Sequence, residues 1–272
     1  MTWRKKAYNV ETLRQLAKAE LPRPIFDFAD GGAEDERTLR RNENAFDDYW
    51  LVPRPMNGAA DRDLSVEFLG HRYSIPLVIG PTGLSGLFWP DGECATARAA
   101  TAAGAGFCLS HGSVCTLEAL ADTKAHPRWM QVFLYRDRPF TKELIRRAEA
   151  ANYDGIVLTI DNQLLGKRER DLANGFTIPP EFSLVQSVAM LAKIKWWWRM
   201  RSELRRITFG NYVRPGKKED IKKLASRMAE LLDPALSWKD VDWIRSMTSK
   251  PLIIKGILSA NEAEAAIHHG AD

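Results

Sequence analysis

The chain has 272 residues, 45% hydrophobic and 27% charged, with a net charge of +4. This excludes low-complexity and fibrous classes and leaves enough apolar residues for a core that needs no staples. No run of roughly 18 apolar residues exists to span a bilayer, and no apolar stretch follows the basic Met1–Lys6 to make a leader. Cys94, Cys108 and Cys115 form no CxxC pair, so a reduced, cytoplasmic setting is expected.

In chain order, residues 1–60 predict a helical segment. Val10–Ala19 has helical spacing, Leu21-Pro22-Arg23-Pro24 breaks it, and Phe26–Ala29 runs into Gly31-Gly32. From 61 onward, short apolar runs recur at Leu77–Gly80, Gly106–Ser110, Trp129–Leu134, Gly155–Asp161 and Leu252–Ile257. They lack polar alternation, as parallel strands covered on both faces do. Between or after them lie helix-like stretches at 91–103, 116–125, 140–151, 237–247 and 260–269. Five βα units in series leave a closed barrel or an open doubly wound sheet. The turn after the first strand, Pro81 to Gly86, is not GxGxxG, which favours a (β/α)₈ TIM barrel with its site at the C-terminal strand ends. About five of eight units are present, so the barrel is expected to be incomplete and the chain truncated. Residues 162–236 read as an insertion on the site face, a candidate lid.

The strand ends carry the chemistry. Pro81-Thr82-Gly83 is either a plain βα turn or a place where backbone approaches a planar ligand. Ser110, Gln131, Thr159 and Asp161 put polar groups in or after apolar strands, where burial demands partners. On consecutive strands they suit a shared heterocycle, since Gln, Ser and Thr offer donors and acceptors together. Lys255, inside LIIKGI, is expected to reach the barrel mouth or to hold an anionic or electron-rich group. Arg168, in a mixed-charge run after the fourth strand, is either a solvated loop residue or a bidentate carboxylate clamp. No metal ligand set is expected.

The segments LPRPIFDFADGGAEDERTLRRNENAF, PLVIGPTGL, GECATARAA, LSHGS, QVFLYRDR, LTIDNQLLGKRERD, LSWKDVDWIR and PLIIKGILSANEAEAAIHHGAD stand in one order almost end to end. Together they resemble the FMN-dependent 2-hydroxy-acid dehydrogenases and oxidases. The resemblance implies FMN, with Pro81, Thr82 and Gly83 beside the flavin and Ser110, Gln131 and Thr159 bonding its ring. It places Lys255 near N1, where its charge offsets that of the reduced ring. Arg168 would clamp the substrate carboxylate, and Asp161 would orient a catalytic histidine expected beyond Asp272. The five histidines present do not match that base, so the 272-residue chain alone is expected to show no turnover and weak FMN affinity. Two family tyrosines are Phe28 and Phe133 here, each losing a hydroxyl worth roughly 1.5–3 kcal/mol toward a charged group. Gly112 stands where glycolate oxidase has tryptophan, which favours a bulkier or more apolar acid. The electron acceptor implied is a quinone, a cytochrome or oxygen, and the assembly a homo-tetramer.

From Lys193 to Lys223, eleven Lys/Arg face three Asp/Glu, leaving the rest of the chain net acidic. Within this stretch, KWWWRMR joins tryptophans to cations. Residues 193–206 therefore suit peripheral contact with an anionic cytoplasmic membrane face, or packing on a lid or subunit interface. No nucleic-acid-binding motif accompanies the patch. The alternatives to a hydroxy-acid oxidoreductase are an FMN barrel acting on another substrate class and a non-catalytic barrel fragment.

Overall fold

The computed structural model describes residues 6–56, 58, 60–162, 164, 166–176, 184–203, 207–212 and 232–272. Its elements run α1 (Val10–Glu20), α2 (Arg23–Asp30), α3 (Arg37–Asn44), β1 (Val66–Phe68), β2 (His71–Tyr73), β3 (Val78–Ile79) and α4 (Gly92–Ala102). Then come β4 (Gly106–Leu109), α5 (Leu117–Ala121), β5 (Arg128–Phe133), α6 (Arg138–Ala150) and β6 (Gly155–Thr159). The series closes with α7 (Glu169–Ala173), α8 (Leu184–Leu191), α9 (Ile194–Met200), α10 (Trp238–Arg245), β7 (Leu252–Lys255) and α11 (Ala260–His268). Contacts divide the chain into two units, Met1–Arg62 with Gly166–Ser202, and Asp63–Leu165 with Glu203–Asp272.

The second unit holds the parallel sheet, in order β3-β4-β5-β6-β7, the curled arrangement of part of a TIM barrel. All five expected strands form, and their register sorts the side chains by face. Phe107, Leu109, Met130, Val132, Ile156, Leu158 and Leu252 point to the helices, where they meet Leu117, Leu120, Phe140, Leu144, Ile145, Val241 and Ile244. Each such side chain contributes roughly 1.5–3 kcal/mol by leaving water. The opposite face carries an apolar layer of Val78, Cys108, Trp129, Val157 and Ile253. The β1–β2 hairpin, turned through Leu69 and Gly70 at positive φ, supplies Tyr73 and Leu69 to that layer. Continuous apolar runs thus make strands here because both faces are covered.

Helix starts follow capping chemistry. Asp137 accepts from the Phe140 N–H at 3.2 Å at the head of α6, with Pro139 in the first turn. Ser259 with Glu262 and Ser237 with Asp240 form capping boxes on α11 and α10. The expected helix at 116–125 stops early, at Ala121. Thr123 turns its hydroxyl back on the Leu120 carbonyl, and Lys124 takes a left-handed φ of 59°.

The first unit is helical. Asn9 caps α1 by accepting from Thr12 N at 2.7 Å. Arg170 bridges Asp30 at 3.1 Å and Glu36 at 2.6 Å, tying α7 to the α2–α3 corner. Arg199 of α9 pairs with Glu20 at 3.0 Å. In α9, Trp196 and Met200 are buried while Ile194 and Trp198 are exposed, so one helix presents two different faces. Residues 204–206 and 213–231, which carry the rest of the basic stretch, lie outside the described residues.

Candidate active site

The polar layer of the second unit sits one step beyond the apolar one, at the C-terminal ends of adjacent strands. Thr159 pairs in register with Lys255, and Gln131 pairs with Val157 two residues earlier on the same strand, so all three share a face. Ser110, two residues after Cys108, belongs to that face as well. These buried groups satisfy one another. Ser110 Oγ donates to Gln131 Oε1 at 3.3 Å, and Gln131 Nε2 donates to Thr159 Oγ1 at 3.0 Å. Lys255 closes the row but is not buried. Its side chain is 44% exposed and pairs with Asp161, 43% exposed, at 3.5 Å. The strand ends on Lys255 rather than continuing through it, because Gly256 turns away at φ 111°.

Pro81, Thr82 and Gly83 follow β3 and reach the same end. Thr82 Oγ1 lies 3.1 Å from Ser85 Oγ. A Cβ on Gly83 would lie 3.2 Å from the Gly112 carbonyl, and Leu84 N–H donates to that carbonyl at 3.1 Å. Glu93, buried near the start of α4, accepts from Ser85 N at 2.9 Å and from Val114 N at 3.1 Å. One carboxylate therefore holds the loops after β3 and β4 together. At Gly112 a Cβ would meet only ordinary contacts, the nearest being Ser110 Oγ at 3.6 Å. A small side chain would fit there without strain, since the backbone does not demand glycine.

His111 was not among the expected site residues, yet it bonds the middle member of the row from the side. Its Nδ1 is 2.9 Å from Gln131 Oε1, and its backbone N–H donates to the same oxygen at 3.3 Å. Its ring lies edge-on to Phe133 at 4.3 Å, Tyr212 at 5.2 Å and Tyr135 at 5.7 Å between centroids. Burial pushes the imidazole down to about 4, against the pull of the Gln131 hydrogen bond. Beneath it, Tyr135 and Tyr212 share a hydroxyl–hydroxyl bond, and burial raises both phenols. Asn211 anchors this segment by accepting from Leu117 N at 2.8 Å and donating to Ser113 Oγ at 3.0 Å. The available signal was the polar His wedged between Ser110 and Gly112 at a strand end.

Arg168 and Phe28 belong to the first unit. The guanidinium lies over the Phe28 ring at 5.5 Å, donates to the Phe28 carbonyl at 2.6 Å and to Asp171 at 2.5 Å. Phe28 also packs on Phe176 at 5.1 Å. Arg168 is thus oriented by a buried carboxylate and an aromatic face, as a fixed fork rather than a free loop cation. Among the described residues no group of His, Cys, Asp and Glu could hold a metal ion.

Fold and site together define a β/α-barrel protein with a polar, donor-bearing row on its C-terminal strand ends. Residues 17–272 match the FMN-dependent dehydrogenase family, and the chain belongs to it. It is 37% identical over 264 residues to glycolate oxidase 1 of Oryza sativa subsp. indica, covering 97% of this chain and 66% of that protein. Human 2-hydroxyacid oxidase 1 is 36% identical, with 96% and 66% covered. The chain therefore spans about two thirds of the length of these curated relatives. Among solved structures it resembles the monotopic membrane protein (S)-mandelate dehydrogenase, with TM-score 0.91, 34% identity, and 97% of this chain and 70% of that chain covered.

Proposed function

We propose that the protein carrying this chain oxidises an L-2-hydroxy acid, lactate-like or bulkier, to the 2-oxo acid, using FMN. The observation that carries this reading is the continuous row Ser110–Gln131–Thr159, with Lys255 in register beside Thr159 on one barrel face. The donor set fits the group. Gln131 keeps one N–H, Thr159 keeps its O–H, and Lys255 brings a cation, which together suit the carbonyl and nitrogen edge of an isoalloxazine. When bound, FMN supplies a two-electron acceptor.

In this reading Pro81, Thr82 and Gly83 lie along the ring, and Lys255 offsets the negative charge of the reduced state. Arg168 holds the substrate carboxylate, a role for which Phe28 and Asp171 support its orientation. Asp161 orients the base histidine that the family resemblance implies. The missing side chain at Gly112 and the ring of Phe133 in place of a phenol favour a bulkier or more apolar side chain on the acid. A quinone, cytochrome or oxygen receives the electrons, and the protein works as a homo-oligomer. Peripheral contact with an anionic membrane face on the cytoplasmic side belongs to the same reading, supported by exposed Ile194 and Trp198 among Lys193, Lys195 and Arg201.

The test uses protein expressed from its complete reading frame, loaded with FMN and mixed anaerobically with L-lactate, (S)-mandelate or their enantiomers. Bleaching near 450 nm, the approximate position of the oxidised flavin band that this chemistry removes, is expected with the L or S acid only. Flavin that stays oxidised with every 2-hydroxy acid tried would refute the reading.

A further inference from the structure

We infer that His111 is a positioning residue for the cofactor face: it locks the Gln131 amide so that this side chain can offer the bound ring only an N–H donor. The inference rests on the flavin reading above and extends it to a residue outside the Ser110–Gln131–Thr159 row.

The geometry fixes the protons. A backbone N–H can only donate, and that of His111 meets the Gln131 amide at 3.3 Å. The atom it meets is therefore the oxygen, and the amide cannot be turned over without setting two donors face to face. The ring Nδ1, 2.9 Å from the same oxygen, must then carry the imidazole proton, leaving Nε2 bare. Ser110 Oγ brings a third donor at 3.3 Å. A carbonyl oxygen has two lone pairs, so three donors leave it nothing for a ligand.

On the other side, Gln131 Nε2 gives one hydrogen to Thr159 Oγ1 at 3.0 Å and keeps the second. Thr159, having accepted, turns its own hydroxyl proton outward. Gly112 N–H feeds Ser110 Oγ at 3.1 Å, so the direction of donation is set along the whole chain of groups. The face that results is made of donors from Gln131 and Thr159, with the Lys255 ammonium in register beyond them. Such a face complements ring carbonyls and an unprotonated ring nitrogen, the atoms that gain negative charge on reduction. Phe133, Tyr135 and Tyr212 hold the imidazole edge-on so that Nδ1 stays aimed at Gln131. Burial keeps the ring neutral at physiological pH.

Two substitutions separate the donor from the ring. His111→Phe keeps an aromatic edge and loses the N–H, whereas the amide nitrogen of His111→Asn sits where Nδ1 does. In protein from the complete reading frame, FMN affinity read by flavin fluorescence quenching is expected to fall about tenfold in His111→Phe, because the nearest donor at 2.9 Å is gone and the amide is left to the two donors at 3.3 Å, which hold it less firmly. His111→Asn is expected to stay within about twofold, with the redox potential of its bound flavin following the same order. Independently, ¹⁵N-histidine spectra, with His111 assigned by its loss in the Asn variant, are expected to show the Nδ1–H tautomer. An Nε2–H tautomer, or equal FMN affinity in the Phe and wild-type proteins, would overturn the lock. Absence of FMN binding by the unsubstituted protein would instead sink the flavin reading, and the cofactor role of His111 with it.

Discussion

Lowering the pH should unload stability through His111, and the structure sets the size of the effect. Burial holds this imidazole at about 4, whereas an exposed histidine takes up its proton near 6.5. Between those values the unfolded chain binds a proton that the folded chain refuses. Stability from the neutral ring is thus fully present above about pH 6.5 and declines as the pH falls toward 4. At about 1.4 kcal/mol for each tenfold change in proton affinity, the whole window is worth about 3 kcal/mol. The assay is urea unfolding of the wild type and His111→Asn at half-unit steps from pH 7.5 to 4, steps of roughly that size resolving one titration. Carboxylates common to both proteins cancel in the difference. The variant is expected to gain on the wild type by about 3 kcal/mol across the window. A stability difference that does not change with pH would refute the claim that His111 is buried and neutral.

Gly256→Ala should cost about 1–3 kcal/mol, because φ is 111° and a Cβ would lie 2.8 Å from Asp161 Cβ. Calorimetry checks this, and an unchanged melting temperature counts against the geometry. Lys255→Met should leave stability within about 1 kcal/mol, since the Asp161 pair is half exposed. It should nevertheless lower the potential of bound flavin in spectroelectrochemical titration, and an unmoved potential would remove Lys255 from the cofactor's surroundings. Trp196→Ala should cost about 3–5 kcal/mol and Trp198→Ala within about 0.5, as the two rings are 2% and 69% exposed. Only the second should weaken pelleting with anionic vesicles, and equal denaturation midpoints for the two variants would contradict the two-faced helix.

Strands β3 to β7 were legible because burial on both sides writes an uninterrupted apolar word, as in GFCL, GIVLT and LIIK. Their ends were less so. Asp161 and Gly256 lie just past the last ladder bonds, and nothing in composition marks where a φ of 111° ends a strand. Ser110, Gln131, Thr159 and Lys255 could be picked out as polar exceptions in apolar surroundings, and the fold does bring them to one face. His111 stood at a strand end in the same way, but its role was hidden because its partners Tyr135 and Tyr212 lie elsewhere in the chain, the latter within a stretch that reads as a run of charge. Arg168 showed the opposite difficulty. Its motif was visible, but its attachment to the Phe28 carbonyl depends on two segments meeting through tertiary structure.

Glu93 has a consequence for how such a protein can change. By accepting from Ser85 and Val114 at once, it makes two successive strand-to-helix connections behave as one piece. Lengthening either connection would unhook the other, so a change of length in one is tolerated only with a matching change in its neighbour. The buried glutamate is the bracket on which both loops are mounted.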